Sequence, residues 1–194
     1  MQDKHQPGAG LPSAEGFFLR YMAAPPMFLL SPQATSTKRF QSFGQKFITI
    51  SESMSADCLQ QVVTTKRPFA LEHSSTSWSV AMVLEHLLLV GDVINTVMEA
   101  LVNDEPPQIL VSTAAVKPTG QLEMPIEKFK SYVGDYVTFA NGVDIANAKK
   151  VRHLHPWFGE LSASQWHAFS WMHEWIHYRQ VEKIMRQLPS NCRD

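Results

Sequence analysis

At 194 residues the chain is one domain, or two small ones at most, and is long enough to bury a core without staples. Hydrophobic residues make up 44% and charged residues 18%, which excludes a disordered chain. A formal net charge of -1, with no basic stripe carrying interleaved aromatics, excludes a nucleic-acid binder that works by neutralising phosphates.

The opening MQDKHQPGAGLPSAEG is polar and bears Gly and Pro, and residues 1–12 read as a disordered tail. It lacks the basic start and apolar run of a signal peptide. Residues 13–30 are apolar but interrupted by Pro25-Pro26, which predicts a short helix and a strap laid on the main body. Tail and strap together make a segment 1–35 ahead of a domain 36–194. The strap and a Trp-rich last helix offer more apolar surface than one bundle needs, so a homodimer that buries part of it is expected.

From Ser36 to Thr65, Phe40, Phe43, Phe47, Ile50, Met54, Leu59, Val62 and Val63 recur at near-helical spacing, and Pro68 ends the segment. Gly44 and the β-branched run at 48–50 weaken this helix. The next is clearer. Ser77 or Ser79 can cap a helix running to about Val102, with Val80, Val83, Leu84, Leu87, Val90, Ile94, Val97 and Leu101 in a broad apolar stripe. His86 lies in that stripe. Residues 105–125 hold four prolines and form a crossover loop. A third helix starts after Pro125 and runs to about Lys149, with a break possible near Asn141-Gly142. His153 and His155 read as loop residues, with Pro156 and Trp157 docking that loop. Ser162 and Gln165 form a capping box for a last helix that reaches Leu188, before Pro189.

Four long helices, one crossover loop and no convincing sheet predict an all-α four-helix bundle. No segment reads as a run of about 20 apolar residues, so no membrane partner is expected. The two cysteines, Cys58 and Cys192, are far apart and make no metal or redox motif. Cytoplasmic life fits that usage, with a single disulfide left open.

The sharpest chemical signal is His173-Glu174-Trp175-Ile176-His177. Two histidines four apart on a helix stack on one face, about one turn apart, and can grip one metal ion. Glu174 completes the H-E-x-x-H pattern of zinc hydrolases, where that glutamate is the general base. Trp166, Phe169, His173, His177, Gln180 and Ile184 follow one stripe, so both histidines share a face with core residues. A third ligand is needed. Only 17 residues follow His177 and none is a histidine, so the usual downstream ligand of such peptidases is missing. His86, already inward-facing on another helix, is the best upstream candidate. Gln180, one turn beyond His177, either lines the pocket or supports a ligand. Glu174 and Glu85 each have a plainer reading as exposed helix charges, and His73 and His167 as surface or supporting residues.

The segments WSVAMVLEHL (78–87) and HPWFGELSASQW (155–166), then H-x-x-x-H followed by YRQ (173–180), resemble the DinB-like (YfiT-type) superfamily of metalloenzymes. The closer likeness is to a bacterial branch of unknown function, and it covers about residues 36–188. The resemblance implies a four-helix bundle of unusual connectivity with a divalent metal held by three histidines. These match His86, His173 and His177. It also implies thiol-dependent transferase or isomerase chemistry in some members and no assigned reaction in most. It gives Glu174 no fixed role.

Three imidazoles leave open metal positions for water or a small-molecule substrate and suit zinc, nickel, copper or iron. The leading expectation is a metal-dependent enzyme of hydrolase or thiol-transferase type. The alternatives are a compact zinc peptidase using His173, Glu174 and His177, and a bundle that binds metal or a partner without turnover.

Overall fold

The longest helices carry the architecture. In the computed structural model, which describes residue 6 and residues 8–148 and 150–192, they are α3 (Gln33–Glu52), α5 (Val80–Val102), α6 (Pro125–Gly142) and α7 (Ala163–Gln187). Each of α3 and α5 packs against both α6 and α7, so the protein is an all-α bundle with one shared core. Shorter elements complete it: α1 (Ser13–Phe18), α2 (Ala24–Leu29), α4 (Ala56–Gln60), and the strand pairs β1 (Val63–Thr64) with β2 (Ser77–Trp78) and β3 (His153–His155) with β4 (Gly159–Leu161).

Phe40, Phe47, Leu84, Ile94, Met98, Phe129, Tyr136, Trp166 and Ile184 fill the core. Burying each such side chain contributes about 1.5–3 kcal/mol against exposure. Two glycines set how closely the helices approach. A Cβ on Gly44 would fall 2.7 Å from Val133 Cγ2, and one on Gly91 would fall 2.5 Å from the Tyr132 ring. Gly44, which weakened α3 as a sequence, is what lets α6 dock on it.

A polar network crosses the core. His167, expected as a surface or supporting residue, is buried between α3 and α6. Thr37 donates its hydroxyl to Gln33 O, which leaves Thr37 Oγ1 to accept from His167 Nε2 at 3.0 Å, while Tyr136 donates to His167 Nδ1 at 2.9 Å. The three bonds require one neutral tautomer of His167.

Several boundaries differ from the sequence reading. The Ser36–Thr65 helix stops at Glu52, because Ser53 bonds back to Ile50 O and Ser55 caps a new helix by accepting from Cys58 N. The third helix ends at Gly142 rather than Lys149. The Gln33 side chain donates to Ala140 O and Val143 O and accepts from Ile145 N, holding the chain as it leaves the helix. The loop assigned to His153 and His155 is a hairpin in which His153 pairs with Leu161 and His155 with Gly159.

The strap is helical through Pro25-Pro26. A π-helical turn at Leu19–Ala23 precedes the prolines, which then occupy the first turn of α2, where missing N–H groups cost little. The strap packs on its own bundle through Ala24 and through Phe28 against Phe158, while Phe17, Tyr21, Met22 and Leu29 stay exposed. Residues 1–5 and 7 of the expected tail lie outside the described residues. The rest is not loose, since Gly8 N donates to Glu72.

The disulfide that the sequence left open is present, and the reading that no segment is long and apolar enough to span a membrane is corrected. Cys58 and Cys192 are joined by a disulfide across 134 positions. Helix α5 is long and apolar enough by composition to cross a membrane, but most of its apolar stretch is buried inside the bundle, as a core helix requires.

Candidate metal centre

Helix α5 delivers His86 and α7 delivers His173 and His177. Ser79 caps α5 by accepting from Met82 N at 3.1 Å, and the Ser162–Gln165 capping box fixes the start of α7. One ring nitrogen from each of the three histidines lies within 4.8 Å of the others. Their ring centroids are 4.5–5.2 Å apart. His86 and His177 are buried and His173 is half-buried. The sequence-predicted triad is therefore brought together.

Two of the three outward ring nitrogens are already committed. His86 Nδ1 donates to Val116 O at 2.6 Å. Gln180 donates its amide to Ser75 O at 2.7 Å, so its carbonyl oxygen is what accepts from His177 Nδ1 at 2.7 Å. A carbonyl only accepts, so both Nδ1 atoms carry hydrogen and both Nε2 atoms are left with lone pairs. This is how ligating histidines are oriented in metal sites. Burial drives the basicity of all three down. His86 is lowered to about 4, with Lys117 adding to the effect against the bond to Val116. His173 and His177 fall well below the ordinary imidazole range, first through burial and then through neighbouring groups, His177 and His86 beside His173 and His86 beside His177. Neutral imidazoles are the form a metal requires.

The histidines open onto a cavity of about 80 Å³ walled by Val90, Ile94, Val116, Trp166, Phe169 and Ile176. Trp78 stacks on His177 with ring planes 5° apart and screens that side. Leu19 of the strap closes part of the rim.

Four polar residues of the surroundings were not foreseen. Glu72 lines the cavity and is 3% exposed. Its Oε2 accepts from Lys117 Nζ at 3.0 Å, Ser74 Oγ at 3.0 Å and Gly8 N at 3.2 Å. Oε1 is buried and has no hydrogen-bond partner among the described residues. Burial opposes ionisation of Glu72, but the charge and hydrogen bond of Lys117, with the bonds from Gly8 and Ser74, hold its carboxyl below the usual range. Lys117 also lines the cavity and donates to Ser75 Oγ. His155, expected as a plain loop residue, is buried against Phe169 and faces the cavity, its pKa lowered by burial to about 3. Glu85, expected at the surface, is buried and accepts from Thr119 N, Thr119 Oγ1 and Gly120 N. It thereby pins the loop that carries Val116 and Lys117. Nothing in the sequence separates Glu72 or Lys117 from ordinary loop charges.

Glu174 is not brought to the cavity. Nor is it the exposed charge of the plainer reading, since it is 2% exposed. Its carboxyl lies on the other side of α7, close enough to Tyr132 and Tyr136 to raise their pKa values, and among the described residues neither oxygen has a hydrogen-bond partner of good geometry, the backbone of Gly44 being the nearest donor. Burial raises its own pKa well above the carboxylate range.

Comparison of the chain with family models, with curated proteins and with solved structures finds no match to any of them.

Proposed function

We propose that the protein is a metal-dependent enzyme of the DinB-like class, of hydrolase or thiol-dependent transferase type. One divalent transition metal, zinc, nickel or iron, is held by His86, His173 and His177. The observation that carries this reading is the convergence of three neutral imidazoles within 4.8 Å, two of them with the outward nitrogen already engaged. A first-row ion with bonds of about 2.0–2.1 Å would hold such nitrogens about 3.3 Å apart, which a small inward closure of this cluster supplies. The three-histidine set agrees with the ligands that the resemblance implies. When bound, such an ion lowers the pKa of water towards about 7 or stabilises a thiolate.

The protein's own residues have separate tasks. Gln180 and Val116 hold the imidazoles in one tautomer and orientation. Trp78 and the apolar walls exclude water, which strengthens every charge interaction inside the cavity. The substrate is a small, mostly apolar molecule, because most of the wall is apolar and Glu72, Lys117 and His155 are its charged or polar exceptions. The peptidase reading loses ground, since its base, Glu174, lies outside the cavity.

The test is metal analysis of protein purified without chelators and after reconstitution. About one ion per chain in the wild type, and little in His86→Ala and His177→Ala, supports the reading. No uptake by the folded wild type overturns it.

A further inference from the structure

Glu72 carries the least settled atom in the cavity. Three donors converge on Oε2, whereas Oε1 is buried and receives none from the described residues. A buried charged acceptor without a partner costs more than the roughly 1–3 kcal/mol of a neutral one. Proteins seldom leave one in that state unless something else completes it. The atom belongs to a side chain that lines the same cavity as the three histidines.

Glu72 is not a fourth member of the histidine cluster, because no oxygen of it falls within the 4.8 Å set of ligand atoms. Nor is it free to swing inward. Lys117 holds Oε2 and is itself tied to Ser75 Oγ at 3.0 Å, while Glu85 pins the loop on which Lys117 sits. Ala70, two residues before Glu72, is held at φ 68° with its N–H donated to Glu15. Non-glycine residues rarely adopt that conformation unless the surroundings impose it. The segment that presents Glu72 is thus fixed from both sides.

We infer that Glu72 is the ligand-reading carboxylate of this cavity. Its Oε1 accepts a hydrogen bond from an N–H, O–H or S–H donor on a small, otherwise apolar molecule held beside the three histidines. A cavity of about 80 Å³ admits a molecule of about five non-hydrogen atoms. One end of it faces the imidazole cluster and the donor faces Glu72. A hydrogen bond to a buried carboxylate is charge-assisted and worth roughly tenfold or more in affinity. The assignment rests on the metal reading only for what lies at the histidine end.

The probes are imidazole and 1-methylimidazole, which share a metal-binding nitrogen and differ in the N–H donor across the ring from it. They are titrated into cobalt(II)-loaded protein, wild type and Glu72→Gln, and followed by the visible cobalt absorption. The wild type should bind imidazole at least about tenfold more tightly. In Glu72→Gln the amide carbonyl takes the place of Oε2, because Lys117, Ser74 and Gly8 all donate there. Its NH2 then takes the place of Oε1, and the preference for imidazole should collapse. Glu72→Asp, with its free oxygen withdrawn by one methylene, should lose most of the preference and serves if the glutamine variant does not fold. Equal binding of both probes by the wild type overturns the assignment. So does an unchanged preference in the variants, which would trace it to the bulk of the methyl group. Failure of the wild type to take up cobalt overturns the metal reading instead. The same pair titrated into metal-free protein by NMR then decides Glu72 on the same criterion.

Discussion

Gln180 lies one turn after His177 on α7 and accepts its Nδ1 hydrogen at 2.7 Å while donating to Ser75 O. Gln180 is fully buried, so no water can take over either bond. Supporting partners of this kind typically account for 10- to 100-fold in metal affinity. Gln180→Leu should therefore fold and bind metal about 10- to 100-fold more weakly in chelator competition. His177→Ala should lose most of the metal outright, because a ligand is removed rather than its support. Unchanged affinity in Gln180→Leu would mean that α7 alone orients His177.

Glu174 separates the peptidase from the bundle reading. Burial raises its pKa well above 4.5, so the folded chain holds a proton there that the unfolded chain releases near its ordinary value. For a carboxyl whose folded pKa is raised, stability declines as pH climbs above the unfolded value. Glu174→Gln keeps the shape and removes the ionisation. It should equal the wild type in thermal stability near pH 4, exceed it at pH 8, and leave metal content unchanged. Lost turnover with retained metal would restore Glu174 as a base.

The histidine triad was legible because it obeys helical arithmetic. His173 and His177 are four apart, and His86 sits in an apolar stripe. Gln180 followed from the same spacing. Glu72, Lys117 and His155 were not legible, since loop geometry brings them to the cavity and no period records it. Glu174 misled twice. Its place in the motif suggested a base and its charge suggested the surface, yet the direction of that position on α7 sends it into the core. The ends of α3 and α6 were missed for a similar reason. They are set by side-chain bonds from Ser53, Ser55 and Gln33, and the bonds of Gln33 span more than 100 residues.

His167 should make the fold acid-sensitive. Burial is the main cause that lowers its pKa from 6.5 to about 4, against the bond to Gln33 O. The unfolded chain therefore takes up this proton first as pH falls. The contribution of this group should be flat above about pH 6.5 and should decline between about pH 6.5 and 4, by about 3 kcal/mol in total, opposite in direction to the trend that Glu174 adds. The bond from Tyr136 needs the Nδ1 lone pair, so protonation also disrupts the α6–α7 link of the network. His167→Gln should flatten the slope of urea-unfolding stability over that window. An equally steep decline in the variant would assign the sensitivity to other groups, His155 first among them.

The Cys58–Cys192 bond ties α4 to the chain's last described turn, across 134 positions. Both cysteines are buried, and neither lines the cavity. On the chain-entropy account, closing so long a loop stabilises the fold by roughly 4–5 kcal/mol, mostly by restricting the unfolded chain. For a domain of this size that corresponds to about 10 °C in melting temperature. Cys58→Ser should melt about that much lower than the wild type, with metal content unchanged. Reducing agent should lower the wild type towards the variant and leave the variant where it is. A bond of this kind persists in oxidising compartments and is opposed by a reducing cytoplasm, so it pulls against the cytoplasmic expectation. Alkylation of free thiols before lysis, followed by mass measurement of the intact chain, decides between them. Two alkylated cysteines per chain would mean that the protein works without the bond in its cell.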